Sequence, residues 1–198
     1  MLTLYHCPRT RSSRFIWLLE ELGVPYQIKR VSIRRSDGTG EADPANPHPH
    51  AKVPSLEHDG VTIFESPAIA LYLTDAFPAK GIGAEIGDPR RGPYLSWLAY
   101  YGSVFEPSVM SKFMKTDVPR GSAGWVDLDE TMAFIDRTLQ EGPYLVGDKF
   151  SGADVLFAST FALFANSPLL PQSEARENYV RRCIERPAHA RSQTKDGG

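Results

Sequence analysis

The strongest local folding signal in this sequence is the dipeptide Asp59-Gly60, which separates two short segments rich in β-forming residues. Asp-Gly suits a two-residue type I′ turn, because both central positions of that turn have positive φ angles. The flanking segments 55–57 and 61–64 are therefore predicted to pair as an antiparallel hairpin. Any fold of this chain must accordingly contain a sheet in its first half.

Strand and helix patterns alternate before the hairpin. Residues 2–6 form a short β-prone run, and residues 26–33 alternate apolar and polar side chains with one interruption, so both are predicted strands. Between them, apolar residues recur at helical spacing at Phe15, Ile16, Leu18, Leu19 and Leu22. Gly23 and Pro25 end this predicted helix, since glycine favours a helix C-terminus and proline cannot continue the helix.

A loop and a helix complete this part of the chain. Residues 34–51 are rich in Gly, Pro, Asp, Asn and His, which predicts a loop. Ser66 and Pro67 predict a helix start, with Ser66 as the cap and Pro67 in the first helical position. This helix is expected to run to about Ala76. The order strand, helix, strand, loop, hairpin, helix indicates an α/β domain.

Only helices are predicted in the remainder of the chain. The predicted helical segments are 94–115, 127–139, 155–164 and 174–185. Ser151 and Asp154 resemble a capping box before the third of these, with Asp in place of Glu or Gln. The tail, residues 192–198, is polar and is expected to be loose.

The switch in pattern divides the chain into three parts. We predict an α/β domain over 1–78, a linker rich in Gly over 79–89, and an all-helical domain over 90–198.

Composition excludes several classes of function. The chain has 22 Lys and Arg against 24 Asp and Glu, a net charge of −2, so it lacks the basic excess that neutralises nucleic-acid phosphates. No apolar run approaches the roughly 20 residues that span a bilayer, and the first residues do not resemble a secretory signal. Two cysteines, Cys7 and Cys183, are too few for a disulfide scaffold or a zinc cluster. We expect a reduced, cytoplasmic protein without a metal, nucleic-acid or membrane partner.

Three motifs carry a resemblance to a known family. They comprise residues 4–14 with 17–23, residues 52–56 with 63–69, and residues 150–154. In this order and spacing they resemble the bacterial-type cytosolic glutathione transferase superfamily, over residues 1–188. The resemblance implies an N-terminal thioredoxin-like domain, an all-α C-terminal domain, glutathione as co-substrate without a metal, a homodimer, and a role in detoxification.

The second motif is where the resemblance implies glutathione binding. It implies a cis peptide between Val53 and Pro54, with the backbone of Val53 pairing with the cysteinyl part of glutathione. Glu65 and Ser66 fall at a helix start, which favours an anion, and would bind the γ-glutamyl end. Lys52 would meet the glycyl carboxylate. If the family resemblance is set aside, the residues have simpler interpretations: Pro54 is a turn proline, Ser66 is a helix cap and Lys52 is a surface charge.

The first motif must ionise the glutathione thiol, whose pKa is about 8.5 when free. Lowering it by about two requires roughly 2.7 kcal/mol, and a hydrogen bond to a charged group supplies about 1.5–3 kcal/mol. Thr10 or Ser12, in the turn before the first helix, is the predicted catalytic hydroxyl. Arg11 occupies the position of the cysteine in cysteine-type members, so that mechanism is excluded at this site. Tyr5 is expected in the core or the pocket wall.

The electrophile is expected between the two domains, against the aromatic helix of the second domain. Tyr101 and Phe105 are predicted to line this pocket, and Tyr94 and Tyr100 are further candidates, although aromatic residues at helical spacing are often core. Such a wall suits a small apolar electrophile.

The sequence therefore predicts a glutathione transferase that activates the thiolate. A glutathione-dependent isomerase, ether-cleaving enzyme or dehalogenase would use the same thiolate. A non-catalytic glutathione-binding module of the same fold is one alternative. A thiol-disulfide reductase using Cys7 is another, because Cys7-Pro8-Arg9-Thr10 is a Cys-x-x-Cys pattern without its second cysteine.

Overall fold

The computed structural model describes residues 1–197, and its N-terminal part is a mixed four-stranded sheet. The strands are β1 (Leu2–His6), β2 (Tyr26–Arg30), β3 (Ser55–His58) and β4 (Val61–Phe64). They lie in the order β2-β1-β3-β4, with β1 parallel to β2 and antiparallel to β3. Leu4 in the centre of β1 pairs with Ile28 and Leu56. Together with the helices below, this sheet confirms the predicted thioredoxin-like fold.

The structure confirms the predicted hairpin and most of the predicted second strand. Asp59 and Gly60 have φ angles of 49° and 84°, as the type I′ turn requires, and β3 pairs antiparallel with β4. Strand β2 ends at Arg30, three residues before the predicted end. Val31 still donates a backbone hydrogen bond of 3.0 Å to His6.

Two helices cover one face of the sheet, α1 (Ser13–Leu22) and α2 (Ser66–Ala76). The apolar residues that predicted α1 are all buried, and burying one such side chain stabilises the fold by about 1.5–3 kcal/mol. Helix α1 ends at Gly23, whose φ of 61° is the left-handed conformation that glycine favours. The predicted cap of α2 was wrong by one residue, because Glu65 is the N-cap and Ser66 is already helical.

The remainder of the chain is helical. Its helices are α3 (Arg91–Tyr100), α4 (Glu106–Met114), α5 (Leu128–Glu141), α6 (Gly152–Leu163), α7 (Glu174–Ile184) and α8 (Pro187–Asp196). A π-helical turn, Tyr101–Phe105, joins α3 to α4 and divides the single helix predicted over 94–115. In residues 1–197 no helix is long and apolar enough to cross a bilayer.

Helix α6 lies at the centre of the core. It begins with the predicted capping box, in which the Ser151 N–H donates to Asp154 at 2.8 Å. Asp154 has no exposed surface and also accepts hydrogen bonds from the Leu145 N–H and the Tyr179 hydroxyl, both 3.0 Å long. Burial raises the pKa of Asp154, and these hydrogen bonds oppose the increase.

The expectation of a loose tail over 192–198 was wrong for residues 192–196, because they belong to α8, which packs against α1; residue 198 lies outside the described residues. Arg186 pairs with Glu21 at 2.6 Å, and Glu20 accepts hydrogen bonds from Arg191 and Lys195. The ring of His189 meets Trp17 edge-on, with 4.8 Å between their centroids. A helix without a marked apolar stripe is thus attached by charged side chains and one aromatic contact.

Candidate functional site

The turn between β1 and α1 holds both hydroxyls predicted for catalysis, and it places them differently. Ser12 has no exposed surface. Its Oγ lies 2.8 Å from His6 Nδ1 and 2.8 Å from Thr10 Oγ1, and it accepts a hydrogen bond of 3.2 Å from the Cys7 N–H. A sulfur atom therefore has no access to Ser12 in this structure, and the expectation of a direct contact is revised.

Thr10 is partly exposed at the same turn. Its hydroxyl lies 2.7 Å from the Cys7 carbonyl and 2.8 Å from Ser12 Oγ, so two acceptors compete for its single proton. The turn also contacts α8, since the Arg9 N–H donates to the Asp196 carboxylate at 3.3 Å. Of the two hydroxyls, only Thr10 presents surface to a ligand.

An ion pair connects this turn to the helical part of the chain. Arg11 donates to Glu106 at 2.6 Å, and Glu106 also accepts a hydrogen bond of 2.9 Å from Tyr101. Burial opposes ionisation, but Glu106, with smaller contributions from Tyr101 and Glu65, raises the pKa of Arg11. Glu65, at the start of α2, is therefore within electrostatic reach of the turn. Arg14 is buried and donates to the Tyr101 hydroxyl.

The expected glutathione-binding backbone lies beside the sheet. The Val53-Pro54 peptide is cis, as the family resemblance implied. In the part of the chain that the structure describes, no hydrogen bond engages the backbone N–H or carbonyl of Val53. The preceding loop is held by Asn46, whose amide donates to the Lys52 carbonyl at 2.9 Å.

Glu65, Ser66 and Lys52 provide complementary charges and donors around this backbone. Glu65 has a φ of 70° and is exposed, while Ser66 is buried in the first turn of α2. Lys52 is exposed, and neither Lys52 nor Glu65 forms an ion pair within residues 1–197. The first N–H groups of α2 are free to bind an anion, because a helix leaves its first donors unpaired.

The two aromatic residues predicted for the electrophile pocket are in the core. Tyr101 and Phe105 have no exposed surface, and both rings pack against Phe157. In this structure they offer a second substrate no contact, which revises that prediction. Periodicity identified the helix correctly, but it could not tell which face of the helix is covered by α6.

Cys7 lies on the face of the sheet opposite α1. It is buried in a small cluster with Tyr5, Val31 and Val53. Arg35 Nη2 lies 3.1 Å from its sulfur. Tyr5 is buried beside it and donates to Glu57 at 3.1 Å, which leaves this tyrosine a structural role.

Two residues of the turn's surroundings were not predicted, His6 and Asp196. His6 has no exposed surface and contacts both Ser12 and Asp196. The two-residue period of a strand places His6 on the same buried face as Leu2 and Leu4, so its burial was predictable. Asp196 has no local signal, because its neighbour is 190 residues away. Among the described residues, no group of His, Cys, Asp and Glu side chains is placed to hold a metal ion.

The chain is similar to known proteins in sequence and in fold. Residues 1–75 match the family model of the glutathione S-transferase N-terminal domain. Glutathione S-transferase 3 of Schizosaccharomyces pombe is 27% identical over 172 residues, which cover 78% of this chain and 70% of that protein. This relative extends the likeness beyond the N-terminal domain.

Solved structures share the whole architecture. The glutathione S-transferase of a sphingomonad, complexed with glutathione, has a TM-score of 0.77 and 26% identity, with 98% of each chain covered. A glutathione transferase of Methylococcus capsulatus has a TM-score of 0.78 and 23% identity, covering 100% of this chain and 99% of that one. Residues 1–75 therefore have the glutathione S-transferase N-terminal domain, and the chain as a whole is similar to glutathione S-transferases in sequence and in architecture.

Proposed function

We propose that this chain is a glutathione S-transferase in which the Thr10 hydroxyl activates the glutathione thiol. One observation carries the choice of residue: Thr10 is the partly exposed hydroxyl of the turn, whereas Ser12 is fully buried. A hydrogen bond to a charged sulfur contributes about 1.5–3 kcal/mol, and the adjacent N-terminus of α1 adds about 0.3–1 kcal/mol. Together these suffice to lower the pKa of the thiol by about two.

Glutathione is proposed to lie along Val53 and the start of α2. Its cysteinyl backbone pairs with the unbonded N–H and carbonyl of Val53, which leaves the sulfur facing the turn. Its γ-glutamyl carboxylate takes the free donors at Ser66, and its ammonium group takes Glu65. Lys52 binds the glycyl carboxylate. Support comes from the charge match at both ends and from the sphingomonad relative, which was solved with glutathione bound.

The second substrate is proposed to lie against α4. Glu106 reaches Arg11 across the cleft, and Met110 and Phe113 follow at helical spacing on the same side of α4. Met110 is 39% exposed and Phe113 is 66% exposed, so they replace Tyr101 and Phe105 as the apolar wall. This surface suits a small apolar electrophile. A role in detoxification and assembly as a homodimer remain proposals that the family resemblance implies, and location in the cytoplasm remains a proposal from the composition.

Thiol-disulfide exchange through Cys7 is a second candidate, and the guanidinium of Arg35 beside its sulfur is the observation that favours it. The cysteine is only 7% exposed, so glutathione must displace neighbouring side chains such as Arg35 to reach the sulfur. Exchange activity that disappears in Cys7→Ser, while conjugation persists, would establish this second function.

The proposed function is tested by titrating glutathione into the protein and following thiolate absorbance across pH. We expect the wild type to lower the pKa of the bound thiol by about two, and Thr10→Ala to reverse at least half of that change. Thr10→Ser keeps the hydroxyl and should behave as the wild type. Thr138→Ala, in α5, is the matched control. If glutathione binds the wild type without a change in thiol pKa, the protein is a binding module or a reductase.

A further inference from the structure

The ring of His6 is held at both nitrogens and has no exposed surface. Nδ1 lies 2.8 Å from Ser12 Oγ, while Nε2 lies 3.2 Å from the Asp196 carbonyl oxygen and 3.4 Å from the Asp196 carboxylate. A carboxylate, a buried imidazole and a hydroxyl are therefore in line, and Ser12 continues this line to Thr10 at 2.8 Å. The series Asp196, His6, Ser12, Thr10 ends at the surface that we assign to the sulfur.

Hydrogen-bond chemistry sets the direction of each proton in this series. Asp196 offers only acceptor oxygens to Nε2, so Nε2 carries the proton of the neutral ring. Burial lowers the pKa of His6, Asp196 opposes the decrease, and Arg30 adds to it, so the resting ring is neutral at pH 7. Nδ1 is then an acceptor, and the Ser12 hydroxyl donates to it. The Ser12 oxygen is left to accept from Thr10.

We propose that His6 is the proton acceptor of the glutathione site, reached through the hydroxyls of Ser12 and Thr10 and stabilised by Asp196. This proposal rests on the proposed function, because it requires the thiol to ionise beside Thr10. The thiol gives its proton to Thr10, Thr10 passes its own to Ser12, and Ser12 passes its own to His6 Nδ1. No heavy-atom bond changes, and the products are a thiolate and an imidazolium.

The relay keeps each of its members hydrogen-bonded to the next. Before transfer, Thr10 donates to Ser12 and Ser12 donates to His6; afterwards His6 donates to Ser12, Ser12 donates to Thr10, and Thr10 donates to the thiolate. The imidazolium faces the Asp196 carboxylate through Nε2. The other charged group near the ring is Arg30, which disfavours the imidazolium. The Asp196 carboxylate also accepts a hydrogen bond from the Arg9 N–H. The buried Ser12 hydroxyl, which cannot touch the sulfur, thereby acquires a function.

The relay can be tested in the wild-type protein by measuring how many protons are released when glutathione binds. Glutathione is titrated into weakly buffered wild-type protein at pH 7, and thiolate absorbance is compared with protons released to an indicator. We expect fewer than about half as many protons released as thiolates formed, because the relay keeps the thiol proton on His6. Nitrogen chemical shifts of His6 should change to those of a doubly protonated ring with glutathione, but not with S-methylglutathione, which has no thiol proton.

Two variants separate proton transfer from positioning. His6→Asn keeps a hydrogen-bond acceptor near Ser12 but cannot take up a proton at pH 7, and we expect it to raise the pKa of the bound thiol by about one, a ten-fold loss of thiolate. Ser12→Ala interrupts the relay and should do the same. His189→Asn, two turns before Asp196 in α8 and in contact with Trp17, is the control and should leave the pKa of the bound thiol unchanged.

Each outcome decides between the two proposals. One proton released per thiolate in the wild type, with a neutral His6, overturns the relay while leaving the transferase intact. A wild-type thiol pKa in either His6→Asn or Ser12→Ala also overturns the relay. If a His6 variant does not fold, the nitrogen shifts and Ser12→Ala still decide. If the wild type forms no thiolate, both the transferase mechanism and the relay are wrong.

Discussion

Ser12 and Thr10 are two positions apart, yet the turn gives their hydroxyls different surroundings. Ser12 points inward, to His6 and the Cys7 N–H, and Thr10 lies at the edge of the turn. Sequence proximity made the two equivalent candidates. Their different burial comes from the path of the chain at Arg9, whose φ of 56° is unusual for a residue with a side chain.

A buried arginine gives a prediction at the same scale. Arg14 donates to Tyr101 and, at 3.2 Å, to Thr160. Tyr101→Phe removes one acceptor from a buried charge, so we expect the free energy of unfolding to fall by about 1–3 kcal/mol. Urea unfolding measures the loss. Tyr144→Phe is the control, since no hydrogen bond of the Tyr144 hydroxyl occurs within residues 1–197. An equal loss in both variants would contradict the assigned role of Tyr101.

At the scale of elements, the attachment of α8 depends on charge. Burial opposes ionisation of Glu20, but hydrogen bonds from Lys195, Tyr26 and Arg191 lower its pKa to about 2, from 4.5. A carboxyl group whose pKa is lower in the folded state stabilises that state above pH 4.5, and the stabilisation is lost as pH falls toward 2. Helix α8 should therefore detach progressively over this interval.

Glu20→Gln tests this pH dependence. The variant cannot form the ion pairs with α8, so we expect it to lower the melting temperature at pH 7 by a few degrees, an effect of about 1 kcal/mol. As the pH falls to about 2 the stabilities of the wild type and the variant should converge. Glu174→Gln, in α7, is the control. A constant difference between wild type and Glu20→Gln from pH 7 to pH 2 would show that the contribution of Glu20 is not ionic.

The whole molecule is organised around a close approach between its two parts. Gly102, in the π-helical turn, lies so near α2 that an added Cβ would be 3.2 Å from Pro67 Cγ. The turn widens the helix between α3 and α4, and it also places Tyr101 and Glu106 where they meet Arg14 and Arg11. The helical part of the chain therefore packs closely against the start of α2.

Gly102→Ala tests the functional consequence of this contact. The new methyl group requires Pro67 to shift by a few tenths of an ångström, which moves the proposed γ-glutamyl site at Ser66. We expect glutathione affinity to fall by about three-fold, equal to roughly 0.7 kcal/mol, measured by isothermal titration calorimetry. Gly92→Ala, in α3, meets no atom within 4 Å and should bind as the wild type. Unchanged binding in Gly102→Ala would show that α2 tolerates the shift.

The sequence by itself determined the elements whose signals are local. The Asp59-Gly60 turn, the apolar stripe of α1, the Gly23 terminus and the Ser151–Asp154 capping box all depend on residues within a few positions of one another, so their patterns are readable in the chain. The order of these elements was enough to indicate an α/β domain, and the family resemblance implied that it is thioredoxin-like. Family motifs, rather than periodicity, carried the expectation of glutathione.

Only the tertiary structure decided which candidate side chains are accessible. Tyr101 and Phe105 are buried because α6 covers their side of the helix, and α8 is ordered because charges in α1 meet it. The series from Asp196 to Thr10 joins residues from the two ends of the chain. Such contacts form only when elements that are distant in the chain pack together. Each contact depends on two residues that no local sequence pattern connects, so it could not be predicted from the sequence.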